Sequence, residues 1–180
     1  VETHLGSIQR ARSDGDIAEI LQRIADSLGY RSGYVIEYTA DLRGAQHIVD
    51  SHSERAQWWR DYFRSPTRAT PDRVAQILER GGVQNFGPER YDGAPESIVA
   101  SARKLDMMDA TIVPVSFEGL LVGVAGFSGV RDLVAHEQMS LQLLAYALFA
   151  QLRSFGSAGI FVPHDSLTPR EKEVIALSAE

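Results

Sequence analysis

The chain has 180 residues, 44% of them hydrophobic, and its 18 basic and 24 acidic side chains give a formal net charge of −6. This composition excludes a disordered chain, and the absence of cysteine excludes a disulfide scaffold and thiolate chemistry. Because the balance is acidic and no apolar run approaches the roughly 20 residues that span a bilayer, we expect a soluble protein without a broad phosphate-binding surface or a membrane segment. The absence of cysteine is compatible with the cytoplasm.

The first predicted element is a helix that begins near Asp16. Asp16 is predicted to cap it, and Glu19, three residues later, completes the spacing of a capping box. Gly29 is predicted to end it. Between them, apolar residues recur at helical intervals: Ile17, Ile20, Leu21, Ile24 and Leu28.

A hairpin is predicted next, with strands over residues 34–38 and 46–49. His47, Asp50 and His52 lie close together at its end and are the nearest approach to a metal site in the sequence. They lack a further Cys or carboxylate at the spacing of a zinc site. We therefore interpret them as ordinary polar residues of a hairpin edge.

Three helices and a second hairpin are predicted in the middle of the chain. The helices cover residues 54–63, which are rich in aromatic side chains, 72–80, which two glycines end, and 97–105. The hairpin strands cover residues 111–117 and 120–128 and are nearly continuous in Ile, Val, Leu and Phe. Such strands are typical of the middle of a sheet with both faces covered.

The longest predicted helix spans residues 134–153 and is apolar almost all the way round. One stripe consists of Leu141, Leu144, Leu148 and Leu152, and Leu143, Tyr146 and Phe149 lie largely on other faces. A helix of this kind must be covered on more than one side. We expect one side to pack on the sheet and the other to meet a second copy of the chain, with coverage by other helices of the same chain as the alternative.

The character of the sequence changes near its end. Residues 156–166 are predicted to be a linker, because Gly, Ser and Pro interrupt them. Thr168-Pro169-Arg170-Glu171 then forms a capping box with proline at the first helical position, and the sequence stops at Glu180. We therefore expect residues 1–155 to be one domain and residues 167–180 to be the truncated start of another.

The segment from Leu167 to Val174 resembles the opening of the helix-turn-helix domain of LuxR-type transcription regulators. The preceding order of elements is similar to that of the family's autoinducer-binding domain. The resemblance implies an α+β fold, an α-β-α sandwich in which helices flank a central antiparallel sheet, with a buried site for an acyl-homoserine lactone between the sheet and one helical layer. It also implies cytoplasmic dimers that bind DNA through the missing C-terminal domain.

The resemblance also assigns ligand-binding residues. Trp58 and Tyr62 match a family pair, and their spacing of four places both on one helix face. An indole N–H and a phenol hydroxyl on large apolar rings suit an amphiphilic ligand, although ordinary core aromatics are the alternative. The other assigned positions are Thr70, Asp72, Phe86 or Gly87, Ala110, Gly126 and Ser128.

Several of these positions depart from the family pattern. Thr70 stands where the family has an Asp that accepts a hydrogen bond from the ligand, and a neutral hydroxyl is a weaker acceptor. Asp72 replaces that Asp only if the backbone is shifted, and Phe86 or Gly87 stands where the family has a Trp. Three alternatives follow: another small hydrophobic signal, a closed pocket in a ligand-independent regulator controlled by dimerisation or a protein partner, or a different alignment before Pro71.

Enzymatic chemistry finds no support in the sequence. The five histidines show no paired metal spacing, and no nucleophile turn of the Gly-x-Ser-x-Gly type is present. Gly123, Gly126 and Gly129 are spaced too widely for a phosphate-binding loop, and they indicate close backbone packing in a strand instead. We therefore expect a protein without catalytic residues, metal or cofactor other than its signal molecule.

Overall fold

The computed structural model describes residues 1–40, 42–65, 77 and 80–155. Within these residues, five antiparallel strands form one sheet. They are β1 (Gly33–Tyr38), β2 (Ala45–Asp50), β3 (Gln84–Phe86), β4 (Ala110–Phe117) and β5 (Leu120–Ser128). The order across the sheet is β2-β1-β5-β4-β3. The prediction that the second hairpin supplies inner strands is confirmed, because β5 lies between β1 and β4, and β4 lies between β5 and β3.

Helices cover both faces of the sheet. They are α1 (Glu2–Arg10), α2 (Asp14–Leu28), α3 (Ala56–Arg64), α4 (Glu96–Lys104) and α5 (Ala135–Ser154). α1, α2 and α5 bury one face, on which Val35, Val113 and Phe127 lie, and α3 and α4 cover the other, on which Ile36 and Ile112 lie. The predicted α+β sandwich with a central antiparallel sheet is therefore confirmed.

The start of α2 differs from the prediction. Ser13 is the N-cap, and its hydroxyl accepts the backbone N–H of Asp16 at 3.2 Å. The Asp16 carboxylate reaches back to the backbone N–H of Arg12 at 2.7 Å. Asp16 thus takes the acidic position of a capping motif instead of the cap itself, and the helix begins at Asp14. Its predicted end is confirmed, since Gly29 has φ 74° and bonds back to the last turn.

One helix and one strand were not predicted. α1 buries little apart from Ile8, so its sequence has only a weak apolar stripe. β3 has three residues, too few for a period of two to show, and it exists through its pairing with β4.

The glycines of β5 allow both helical layers to approach the sheet. A Cβ on Gly123 would overlap with the Phe149 ring of α5 and with the Ile36 carbonyl oxygen. A Cβ on Gly126 would overlap with the Tyr34 ring on the opposite face. The prediction of close packing along this strand is confirmed at both positions.

α5 presents two different sides. The predicted stripe is buried, with Leu141, Leu144, Leu148 and Leu152 at most 2% exposed. Met139 and Leu143, by contrast, are 69% and 52% exposed. None of the helices in the described ranges is long and apolar enough to cross a membrane.

Parts of three predictions lie outside the described residues. Of the helix predicted over residues 72–80, the structure describes Ile77 and Arg80, and both are helical. The predicted linker at 156–166 and the predicted start of a second domain at 167–180 also fall outside the described part of the chain.

Candidate functional site

A cavity of about 370 Å³ lies between the sheet and α3. Alternate residues of a strand point to the same face of a sheet, so Tyr34, Ile36 and Tyr38 of β1 all reach this side. Ile112 of β4 and Val124 of β5 continue the wall across the neighbouring strands. The inner surface is therefore mostly aliphatic and aromatic.

α3 forms the opposite wall through Trp59, Tyr62 and Phe63. The Trp59 indole N–H donates to the Asp50 carboxylate at 2.8 Å, which fixes the ring relative to the end of β2. The Tyr62 ring stacks on Trp58, with 5.0 Å between ring centroids. These contacts fix the rings of the aromatic wall relative to the neighbouring elements.

The rim of the cavity is polar. Arg80, Asn85, Glu89 and Asp92 line it, and all four are exposed side chains. The Gln84 side chain donates to the Ile77 carbonyl at 2.8 Å, which ties the helical residues of the rim to β3.

The side chain of Asn85 on the rim is hydrogen-bonded at both its nitrogen and its oxygen. Its amide donates to the Arg131 carbonyl at 3.1 Å and its oxygen accepts the Thr111 hydroxyl at 2.8 Å. These two hydrogen bonds to neighbouring chain segments make Asn85 a fixed part of the rim.

Phenol groups supply the polar atoms inside the cavity. Burial raises the pKa of both Tyr34 and Tyr38, and the guanidinium of Arg90, which also lines the cavity, acts in the opposite direction. The two phenols therefore stay protonated at neutral pH and offer O–H donors. Apolar walls with a few fixed polar groups are typical of a small-molecule site.

His47, Asp50 and His52 have separate structural roles. His47 Nε2 lies 3.0 Å from the Asp14 carboxylate, and His52 Nδ1 lies 2.9 Å from the Glu54 carboxylate. Asp50 accepts the Trp59 indole, as described above. Across the described ranges, no three His, Asp or Glu residues are grouped so that they could hold a metal ion.

Two of the predicted ligand-binding residues, Tyr62 and Phe86, line the cavity. Trp58 does not: it is buried behind Tyr62, and its indole N–H donates to the Ile98 carbonyl at 3.3 Å. Gly87 turns toward its own loop, since its N–H donates to the Glu89 carboxylate at 2.7 Å.

Of the other residues predicted to bind the ligand, three lie in strands of the sheet and two lie outside the described residues. Ala110 and Ser128 are opposite each other in the β4–β5 ladder and are buried, and Ser128 accepts the Ser32 hydroxyl at 2.9 Å. Gly126 lies behind the Tyr34 ring, so it shapes the wall without lining the cavity. Thr70 and Asp72 lie outside the described residues.

Sequence reasoning missed Tyr34, Tyr38, Trp59 and Arg90 as site residues. The alternation of Tyr34 and Tyr38 on one strand face was a usable signal, because α3 is the aromatic helix that packs there. Arg90 had no such signal. It belongs to a single 3₁₀ turn at Pro88–Tyr91, which has no amphipathic repeat.

Comparison with known proteins places the fold. No family model matches the sequence, and no curated protein matches it. The structure of SdiA in complex with octanoyl-rac-glycerol has a TM-score of 0.63 and 15% identity, and the match covers 99% of this chain and 75% of that chain. Escherichia coli SdiA in another crystal form has a TM-score of 0.58 and 16% identity, with 99% and 76% covered.

A GAF domain is also similar. The GAF domain of the cyanobacteriochrome TePixJ has a TM-score of 0.53 and 16% identity, and the match covers 82% of this chain and 94% of that chain. At these identities the likenesses show a common fold, a sheet with helices on both faces.

Proposed function

We propose that this chain is a small-molecule sensing domain that holds a largely apolar, amphiphilic signal between the sheet and α3. The cavity carries the proposal: its volume of about 370 Å³ lies in the range of about 300–1,000 Å³ usual for ligand sites, and its walls are apolar with few polar groups. The shared fold with SdiA, whose complex contains octanoyl-rac-glycerol, supports a ligand with an acyl chain.

We further propose that the sensor belongs to a LuxR-type transcription regulator and acts by binding, without catalysis. The segment from Leu167 to Val174 supports this assignment, because it resembles the start of the family's DNA-binding domain. The signal would be an acyl-homoserine lactone or a related compound in the cytoplasm. A ligand at 100 times its dissociation constant adds about 2.7 kcal/mol of stability, which favours the ligand-bound arrangement of the regulator.

The cavity predicts a ligand-dependent gain in stability. Octanoyl-rac-glycerol and a series of acyl-homoserine lactones are expected to raise the melting temperature of the full chain, and at least one to bind. In Val124→Phe the larger side chain occupies the cavity, so this gain should disappear. Thermal shift with native mass spectrometry of the purified protein measures both effects.

Val130→Phe is the matched control, because Val130 is an exposed loop residue away from the cavity. It should keep the wild-type response. An equal response from Val124→Phe and wild type would contradict binding in this cavity.

A second proposal concerns self-association through α5. Its outer side exposes Met139, Leu143 and Tyr146, and Phe117 and Leu120 at the tip of the β4–β5 hairpin are also exposed. The Tyr146 hydroxyl lies 3.3 Å from the Ser116 carbonyl, which places that hairpin beside the helix. Exposed apolar side chains on one side of the helix and on the hairpin beside it favour a homodimer, and they also support the alternative of a regulator controlled by dimerisation or a protein partner.

This surface predicts that Leu143→Glu weakens self-association. Wild type is expected to be dimeric at tens of micromolar and the variant monomeric, as measured by light scattering, because the new carboxylate would be buried without a partner. Ser101→Glu on the exposed side of α4 is the control and should remain dimeric. A monomeric wild-type protein would contradict the homodimer.

A further inference from the structure

Tyr34 places a buried hydroxyl in the wall of the cavity without a hydrogen bond. The residue is 1% exposed and lines the cavity, and its hydroxyl has no hydrogen-bond partner within the described ranges. Buried polar groups in folded proteins are generally paired. A hydroxyl that stays unpaired is less favourable than the ring of a Phe in the same space.

The ring that carries this hydroxyl is held from two sides. Gly126 of β5 lies directly behind it, where any Cβ would overlap with the phenol. Trp59 of α3 packs edge-on against it, with 4.9 Å between ring centroids. The ring therefore has little freedom to turn the hydroxyl toward another partner, and the hydroxyl remains at the cavity.

The charged group beside the hydroxyl is a hydrogen-bond donor. The guanidinium of Arg90 lies beside it, and because a guanidinium donates but never accepts, Arg90 cannot receive the proton of the Tyr34 hydroxyl. The phenols of Tyr38 and Tyr62 line the same cavity. The Glu89 carboxylate accepts the Gly87 N–H at 2.7 Å and is exposed, which directs it to the rim.

We infer that the ligand carries an oxygen acceptor, a carbonyl or a carboxylate, which receives the Tyr34 hydroxyl beside Arg90 while the apolar chain lies along Ile36, Ile112 and Val124. The inference rests on the proposed function, since it names the chemistry of the ligand for the same cavity. A ligand whose polar end is a cation that only donates would be repelled by the guanidinium charge of Arg90.

Three probes with the same eight-carbon chain test this chemistry: octanoate, methyl octanoate and octylammonium. Their affinity for the full chain can be followed through tryptophan fluorescence, because Trp59, one of the two tryptophans, lines the cavity. The two acceptors are expected to bind, with octylammonium at least about tenfold weaker. Tighter binding of octanoate than of methyl octanoate identifies a carboxylate as the preferred group, and equal binding identifies a neutral carbonyl.

The variant Tyr34→Phe separates a ligand contact from a structural role. It should weaken binding of methyl octanoate by about three- to tenfold, the loss of one hydrogen bond, and leave octylammonium unchanged. The melting temperature of the free protein should stay the same or rise, because the hydroxyl removed has no partner. A structural hydroxyl would instead lower it.

Tyr30→Phe is the matched control. Tyr30 is also buried with a hydroxyl that lacks a hydrogen bond in the described part of the chain, but it packs in the core on the other face of the sheet. Its replacement should leave all three affinities unchanged.

Octylammonium binding as tightly as the acceptors, or unchanged affinities in Tyr34→Phe, would overturn the inference. Binding of none of the probes, together with no response to lactones or octanoyl-rac-glycerol, would instead contradict the proposed function and the inference with it.

Discussion

Replacing Asp50 by Asn is expected to lower the free energy of unfolding by about 3 kcal/mol. The Asp50 carboxylate is 3% exposed and accepts hydrogen bonds from the Trp59 indole at 2.8 Å and from the backbone N–H of His52 at 2.9 Å. It also lies 3.5 Å from the guanidinium of Arg55, which is 2% exposed. Asn has one acceptor oxygen in place of two and no charge, so a buried donor and a buried cation lose their partner. Urea denaturation measures the loss.

One feature of the structure limits the loss of stability in Asp50→Asn, and another adds an effect on ligand binding. In Asp50→Asn, Arg55 keeps its hydrogen bonds to the Ser32 hydroxyl at 2.7 Å and to the Leu105 carbonyl at 2.9 Å, so the guanidinium retains two of its partners. Trp59 also forms part of the cavity wall, and the loss of its acceptor should weaken ligand binding as well as stability.

Asp106→Asn is the matched control. Asp106 forms an ion pair with Arg31 at the surface, where its side chain is 61% exposed. Exposed pairs contribute about 0–1 kcal/mol, so the loss should be well under that for Asp50→Asn. Equal losses in the two variants would show that Asp50 is not the centre of a buried network.

Replacing Gly123 by Ala is expected to destabilise the fold by about 3 kcal/mol, with urea denaturation as the measurement. The new methyl group would overlap with the Phe149 ring and with the Ile36 carbonyl oxygen. The second contact is to backbone, and Ile36 is in β1, which pairs directly with β5. Relief therefore requires the inner strands to separate or α5 to move away from the sheet.

Gly126→Ala provides a contrast on the other face of the same strand. The nearest atoms to its methyl group all belong to the Tyr34 side chain, so relief requires the displacement of one ring and not of a neighbouring strand. We expect a smaller loss of stability than for Gly123→Ala, together with weaker ligand binding.

Gly15→Ala is the control for a glycine without neighbours. It is exposed on α2, and the nearest atom to a new Cβ is 3.6 Å away. Ala is the better helix former, so stability should rise by about 0.5–1 kcal/mol. A Gly123→Ala variant as stable as wild type would contradict the close approach of α5 to the sheet.

The predicted elements were largely correct because their signals are local. The buried stripe of α5 and the aromatic helix α3 follow from a helical pattern, and the two hairpins follow from short runs of β-branched and aromatic residues. The cap of α2 shows the limit of such signals. Ser13 and Asp16 both fit an N-cap by residue type, and only backbone geometry distinguishes them.

The lining of the cavity was predicted in part. Tyr62 and Phe86 were expected from the family resemblance to bind a ligand; both line the cavity, and their role in binding stays a prediction. Trp58, on the same helix, was expected there too, but its indole turns to the Ile98 carbonyl of α4. The spacing of four brings two side chains to one helix face, yet which of them meets empty space depends on the helix that packs beside it.

The sequence by itself determined the number and kind of most elements and the apolar faces they bury, since those properties depend on residues close together in the chain. The sandwich class was predicted from the family resemblance. Tertiary structure decided the strand order and the chemistry of the cavity. Tyr34, Trp59, Arg90 and Val124 come from four separate segments, and they meet because β1 lies beside β5 and α3 packs over both. No local pattern encodes that meeting, because it is the strand pairing and the layer packing that bring distant side chains together.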